Sequence, residues 1–355
     1  MRALERTWAL LSAPERPGRN HPPPHLLQTD RPAWSRNDQG LVCFHDLKPG
    51  EAGRVAISCG LQAQRGPRTI PDVHLINADL HCHSRHSDGT LSPADLAARA
   101  HANGVELWAL TDHDEISGLD EAARTARALG LDFVTGVEVS VTFIGVTVHI
   151  VGLGFDPDHA ALRQGLAATR GGRLQRAHEM ADALAQVGHK GAFEGALAYV
   201  GNPDLISRTH FARWLVETGV CASTHEVFRH YLADGKPGHV PHRWAKLGDA
   251  VGWITGAGGI AVVAHPGRYR LTPNEEYALF SEFRQHGGLG VEVLTGSHGQ
   301  ADVLKYQELA LEFDLLASRG SDFHSPEESR TDLGALPDLS GRLTPVWQKL
   351  RPARP

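Results

Sequence analysis

Between Asp79 and Pro93 the chain reads DLHCHSRHSDGTLSP, which places His81, His83, His86 and Asp88 within eight residues. Imidazole and carboxylate are side chains that ligate divalent cations. The spacing sharpens the point. Side chains alternate at a strand end, so His81 and His83 point one way and Cys82 the other. The same holds for Asp322 and His324 in SDFHS. The chemistry on offer is a metal centre with nitrogen and oxygen ligands and no thiolate. Such a set suits manganese, zinc or iron(II) and does not choose among them.

More residues of the same kind follow further on. His113 stands in the triplet Asp112-His113-Asp114 after VELWAL, Glu138 in LDFVTGVEVS, His149 in VTVHIVGLGF and His265 in IAVVAHPG. These apolar runs read as strands. Each residue alone has a bland reading: a lone H-x-H, a core histidine at His149, a turn at HPG. Together they do not. In parallel α/β folds the carboxyl ends of the strands converge on the functional face. So many imidazoles and carboxylates on one rim would repel or go unpaired unless cations neutralised them. His86 and His298 are expected to be exposed and not ligands. Asp112 and Asp114 are expected to orient ligands. Glu292 in GVEVL shares the rim and is expected to orient a ligand or meet substrate.

The scaffold can be read around these positions. An apolar strand leads into His81. Ser92 caps a helix with Pro93 at its first position and Asp95 three residues after the cap, ending at Asn103-Gly104. Leu119, Ala122, Ala123, Ala126 and Leu129 form one helical stripe that ends at Gly130. After Lys246, IAVVAHPG, LGVEVL and LLASRGSDFHS read as strands, with NEEYALFSEFRQHGG and QADVLKYQELALEFD as helices between them. Strands alternating with helices indicate an α/β fold, a parallel sheet or a barrel. Residues 156–246 lose the alternation and pattern as helices, so an inserted helical subdomain is expected there. The barrel would then occupy 74–155 and 247–335, with a tail at 336–355. Residues 1–73 are rich in proline and polar residues and are expected to be disordered or loosely attached. LVCFHDL and GRVAISCGLQ read as short strands within them. A start codon placed upstream of the native one would also account for this extension.

A chain of 355 residues is enough for one large core with a smaller appended unit. A net charge of -6 argues against a broad basic nucleic-acid surface and leaves room for a small anionic ligand. Cys43, Cys59, Cys82 and Cys221 form no C-x-x-C pair, which reads as reduced thiols in the cytoplasm. There is no apolar run of membrane-spanning length and no leader pattern, so neither membrane insertion nor export is expected.

Taken in order, DLHCHSRHSDG, ALTDHDEISG, GVEVS, VHIVGLG, AVVAHPGRY and SDFHS resemble the successive motifs of the PHP (polymerase and histidinol phosphatase) metal-dependent phosphoesterases. The likeness spans residues 76 to about 330, with a helical insertion in the same place. The nearest subgroup is that of the nucleoside 3',5'-bisphosphate phosphatases and the 5'-to-3' exoribonuclease RNase AM. The resemblance implies a distorted (β/α)7 barrel holding three divalent ions, Mn2+ foremost, with Zn2+ or Fe2+ as alternatives. One ion would take His81, His83, Glu138 and Asp322. A second would share Glu138 with His149 and His265, and a third would take Asp88, His113 and His324. In the insertion, ISRTHFARWLVETG is similar to the subgroup's Gly-Arg-Pro-His-Phe segment. Arg208 and His210 match, whereas Ser207 and Thr209 stand in place of glycine and proline. With HPGRY and YLADGKPGHVPHRW, the resemblance gives Arg208, Arg268 and Lys236 as phosphate-binding candidates. Arginine suits that task because its planar fork donates two bonds at once.

The implied reaction is hydrolysis of phosphate esters in nucleoside 3',5'-bisphosphates or short 5'-phosphorylated RNA. A hydroxide bridging the first two ions would attack phosphorus in line, and the ions and arginines would take up charge on the phosphoryl oxygens. His324 or His210 would protonate the leaving oxygen unless an ion stabilises it directly, and Asp322 would hold the first ion. Histidinol phosphate is the alternative substrate. A non-catalytic PHP module that binds a partner is the alternative of another kind, and a complete ligand set argues against it.

Overall fold

The computed structural model describes residues 33–37, 40–44 and 76–350. The chain divides into two units, residues 1–70 and 71–355. In the first, β1 (Ala33–Asn37) pairs antiparallel with β2 (Gly40–Phe44). β2 falls on LVCFHDL. β1 lies in a stretch expected to lack structure; it has no alternation to betray it, but only two residues separate it from β2, a usual hairpin spacing. GRVAISCGLQ lies outside the described residues.

The second unit is built on a seven-stranded sheet in chain order: β3 (Ala78–Asp79), β4 (Leu107–Leu110), β5 (Asp132–Phe143), β6 (Val146–Leu153), β7 (Ile260–Val263), β8 (Gly290–Thr295) and β9 (Leu316–Gly320). All neighbours run parallel except β6, which is antiparallel to β5 and β7. The parallel alternation read from the sequence breaks there because no helix joins β5 to β6. A tight turn at Ile144-Gly145 does, with φ of 47° and 78°. Beyond their ends the first and last strands meet. Leu80 N–H donates to the Arg319 carbonyl, Asp322 N–H to that of His81, and His83 N–H to that of Phe323. The sheet is thereby nearly closed into a barrel.

Period-two alternation decides what faces inward. Val137, Val139 and Val141 of β5 pack in the larger core, which also takes in residues of the surrounding helices. Val134, Val151, Leu153, Ile260 and Val262 form a second apolar cluster on the opposite face. Glu138 and His149 alternate with the first set, so they share the second face and stand above its apolar floor.

Around the sheet lie α1 (Pro93–Ala102), α2 (Leu119–Leu129), α8 (Leu247–Gly256), α9 (Pro273–Gln285) and α10 (Gln300–Glu312), the numbers between belonging to the insertion. Ser92 caps α1 by accepting from Asp95 N–H at 3.0 Å. Gly130, at φ 73°, stops α2. α8 escapes a pattern reading because Gly248, Gly252 and Gly256 dilute its apolar stripe. Between β6 and α8 come α3 (Ala160–Arg170), α4 (Arg173–Gln186), α5 (Ala192–Leu197), α6 (Arg208–Glu217) and α7 (Thr224–Val227). α4 to α7 contribute to a separate cluster that includes Met180, Leu184, Phe211, Leu215 and Leu232, whereas Leu162 and Leu166 of α3 pack in the larger core. Among the described residues no helix is long and apolar enough to cross a membrane.

Candidate metal centre and its arginine-lined cavity

Glu138 is the hub of the rim. It is fully buried, and three imidazoles reach it at 2.8 Å: His113 and His149 through Nδ1, and His265 through Nε2. His149 comes within range although β6 runs backwards, because β6 pairs His149 with Ser140, two residues past Glu138. His81 Nδ1–H donates to Glu292 Oε1 at 2.8 Å, which leaves the lone pair on Nε2. That atom faces His83 Nε2 at 3.2 Å, Glu138 Oε1 at 3.4 Å and Asp322 Oδ1 at 3.6 Å. His324 is oriented in the same way: Nδ1–H donates to the Asp322 carbonyl at 2.9 Å and Nε2 faces Asp88 Oδ1 at 3.4 Å.

All nine residues expected as ligands fall into four clusters whose donor atoms lie within 4.8 Å of one another. These are His81 with Glu138 and His265; His81 with His83 and Asp322; His113 with Glu138 and His149; and His83 with Asp88, His113 and His324. His83 therefore reaches the Asp88 group as well as its own.

The donor set fits divalent cations on a direct observation. Seven of the nine residues bury a nitrogen or oxygen that makes no hydrogen bond: His83, His113, His149 and His265 at Nδ1, Asp88 and Asp322 at Oδ1, and Glu138 at Oε2. Several sit 2.8 Å from an opposite atom without the angles of a hydrogen bond. A buried polar atom left unmade costs about 1–3 kcal/mol. Lone pairs turned toward common points at that cost are what ions coordinated by nitrogen and oxygen would satisfy.

Charge tells the same story. Burial pushes the Glu138, Asp88 and Asp322 carboxyls up, but the imidazoles around each hold them well below the usual carboxylate range. Burial drives His83 down to about 3 and His149 down to about 4. At His113 burial also presses down, yet Glu138 and Asp88 raise it to about 9.

Several residues hold these ligands in place. Glu292 Oε2 also accepts from His265 N–H at 2.6 Å, so one carboxylate orients two ligands. Tyr269 Oη accepts from His149 N–H and donates to the Ala264 carbonyl, each at 2.8 Å. Asp112 accepts from Ser84 N–H and from the Ser84 and Ser87 hydroxyls at 2.6–2.7 Å, bracing the loop between His83 and Asp88. Asp114 does something else than expected: it takes Ser140 N–H and pairs with Arg173, tying the insertion to the barrel. His265 and Asp322 have φ of 24° and 54°, backbone strain held at the site by its surroundings. His86 bonds Ser117 at 2.9 Å, and His298 accepts from Gly267 N–H at 3.1 Å. Both are half-buried rather than exposed, and neither joins a ligand cluster.

A cavity opens beside this rim. Asp88, His113, His149 and His324 line it together with Arg173, Arg176, Arg208 and Arg268 and the rings of Phe228 and Trp244. Arg268 is half exposed and donates to Asp322 Oδ2 at 2.7 Å. Burial, with Arg208 and Arg173 nearby, pushes Arg176 down to about 9. Mutually repelling guanidiniums in one cavity are relieved by an anion. Arg173 and Arg176 were missed from sequence; their spacing of three, which puts both on one face of α4, was the available signal. Lys236 is exposed and does not line the cavity, because the turn that carries it faces solvent. His210 does not fit the proton-donor role expected of it. It is fully buried, accepts from Ser207 N–H at 2.9 Å, and is pushed down to about 4, chiefly by burial. A second cleft, lined by Glu115, Asp120, Arg163 and Arg170, holds none of the metal-type clusters.

Residues 79–235 match the PHP domain family. A 3',5'-nucleoside bisphosphate phosphatase of Chromobacterium violaceum is 50% identical over 276 residues, which are 78% of this chain and 97% of that protein. The chain belongs to the PHP family. Also similar is a 5'-3' exoribonuclease of Escherichia coli, 40% identical over 276 residues, or 76% of this chain and 92% of that one. A solved Chromobacterium violaceum structure, described as an amidohydrolase with bound sulfate and no metal, shares 50% identity. It covers 77% of this chain and 95% of its own, with a TM-score of 0.75. As a PHP protein the chain is a phosphoester hydrolase, and the motifs legible in its sequence all supply side chains to one rim.

Proposed function

We propose that this PHP protein hydrolyses phosphate esters of nucleoside 3',5'-bisphosphates or of short 5'-phosphorylated RNA. The observation that carries this reading is the juxtaposition of an arginine-lined cavity with a rim of unpartnered metal-type donors. The activities named for the relatives support it. His81, His83, Glu138 and Asp322 would hold one divalent ion, Glu138, His149 and His265 a second, and Asp88, His113 and His324 a third, with His83 within reach of the third. Manganese is the first expectation, with zinc or iron(II) compatible with the same donors. When bound, such ions lower the pKa of a bound water and neutralise phosphoryl oxygens.

The chain's own residues do the rest. Arg208 and Arg268 would grip the phosphate, and Arg173 and Arg176 would hold further negative charge of the substrate. Arg173 is seated by Asp114 and lies over the Trp244 ring at 4.6 Å. His324 Nδ1 is committed to a backbone carbonyl, so Nε2 alone is left, and it can carry an ion or a proton but not both. We assign it to the ion, which leaves the cavity's guanidiniums to bear charge on the leaving oxygen. Phe228, half-buried in the cavity wall, offers a ring on which a base could stack, which favours a nucleotide over histidinol phosphate, whereas Trp244 is buried against Arg173 and Arg176. Residues 156–246 would act as the substrate-binding insertion of the barrel, and the protein would work in the cytoplasm.

The test is phosphate release, in Mn2+, from adenosine 3',5'-bisphosphate, histidinol phosphate and a 5'-phosphorylated RNA trimer. Release from the first or the third is expected. Release from histidinol phosphate alone would overturn the reading.

A further inference from the structure

Ser207 and Thr209 depart from the glycine and proline of the similar segment, and their hydroxyls have a shared target. Thr209 Oγ1 donates to Asp88 Oδ2 at 2.9 Å, and Ser207 Oγ to the same oxygen at 3.2 Å. The Ser207 proton goes to the carboxylate because His210 Nδ1 is already occupied by Ser207 N–H. Oδ1 of Asp88 is left buried without a hydrogen bond, facing His324 Nε2 at 3.4 Å and His113 Nε2 at 3.8 Å. The two departures are also linked to each other. Ser207 caps α6 by accepting from Thr209 N–H at 3.2 Å, a donor that proline lacks.

The same helix grips the neighbouring ligand's loop. Arg213 makes a two-pronged pair with Glu328 at 2.7–2.8 Å, a few residues past His324. Ser329 in that loop accepts from His324 N–H at 2.8 Å. Two of the four residues of this cluster, Asp88 directly and His324 through its loop, are thus braced from the insertion and not only from the barrel. A carboxylate with one oxygen satisfied by two hydroxyls cannot rotate to offer both oxygens, so it presents Oδ1 alone, in a fixed direction.

We propose that the Ser207 and Thr209 hydroxyls are positioning groups that set the affinity of the Asp88–His113–His324 site for its cation, making the insertion part of that site. The proposal rests on the three-ion reading above. Groups that orient a ligand typically contribute 10–100-fold to metal affinity.

The experiment is equilibrium dialysis of the metal-stripped full chain against graded Mn2+, with bound metal counted per chain. Variants are Thr209→Val, Ser207→Ala with Thr209→Val, and Thr209→Ser as the rescue that keeps the hydroxyl. One class of site is expected to weaken 10–100-fold in the first two and to recover in the third, the other classes staying as in the wild type. Thr209→Val, which preserves volume, carries the test alone if the double variant does not fold. Binding unchanged in every class, or weakened equally in all of them, would overturn the proposal while leaving three ions in place. A wild-type isotherm with no third class to lose would sink the three-ion reading and the proposal together.

Discussion

His81 Nδ1 lies 2.8 Å from Glu292 Oε1, and Glu292 Oε2 lies 2.6 Å from the backbone nitrogen of His265. One buried carboxylate therefore sets the tautomer of one ligand and the backbone direction of another. Glutamine at this position has a single acceptor oxygen and would turn an NH2 group on one of two donors. Glu292→Gln is expected to lower Mn2+ affinity 10–100-fold. Activity measured across a Mn2+ series should recover at high metal; an unchanged Mn2+ requirement would contradict the role.

The cavity arginines divide differently from the expected phosphate set. Arg208→Ala and Arg176→Ala should each raise KM for a bisphosphate substrate about tenfold or more, since a charge-assisted hydrogen bond is worth about 1.5–3 kcal/mol. Lys236→Ala should leave KM within about twofold, because its side chain faces solvent. Steady-state kinetics on the three variants checks this, and a large effect at Lys236 alone would reverse the assignment.

Gly320 lets β9 touch the strand end that bears His81. A Cβ on Gly320 would lie 2.3 Å from His81 Cβ and 2.6 Å from its backbone nitrogen. Gly320→Ala is expected to cost about 1–3 kcal/mol, the range for overpacking a tight core. Thermal melts and Mn2+ binding should fall together; an unshifted melt would show that the barrel seam gives way more easily than its geometry indicates.

Metal uptake should release protons. Burial pushes His113 down, but Glu138 and Asp88 hold it up at about 9. A raised imidazole stabilises the fold fully below its unfolded value, near 6.5, and loses that contribution as pH rises through about 9. The melt of metal-stripped protein should therefore decline across that window while Mn2+ affinity climbs. Melts of stripped and loaded protein at several pH values test the pair of trends, and a stripped protein that gains stability toward pH 9 would contradict them.

The nine rim residues were legible because type and period coincide. His81 and His83 alternate with Cys82, and Glu138 alternates with valines that face the larger core. The reversal at β6 was not legible as a change of direction, since a strand looks the same read either way. Only the missing helix between Phe143 and Val146 marks it. Arg173 and Arg176 were hidden for a different reason: an arginine on a helix most often faces solvent, and what draws these two inward is Trp244, 71 and 68 residues away in sequence. His210 shows the converse relation between type and place. Its type matched a motif, but it lies fully buried with Nδ1 taken by the Ser207 backbone N–H, away from the cavity lining.

Bound Mn2+ and phosphate release, measured on one preparation of Asp322→Asn beside the wild type, test the centre most directly. Asp322 Oδ1 lies 3.2 Å from His83 Nε2 and 3.6 Å from His81 Nε2, while Oδ2 holds Arg268 at 2.7 Å. The variant is expected to lose bound metal and to release phosphate from adenosine 3',5'-bisphosphate more than about a hundredfold more slowly, beyond the range for residues that only orient a ligand. Full metal content with undiminished release would contradict a metal centre built on Asp322.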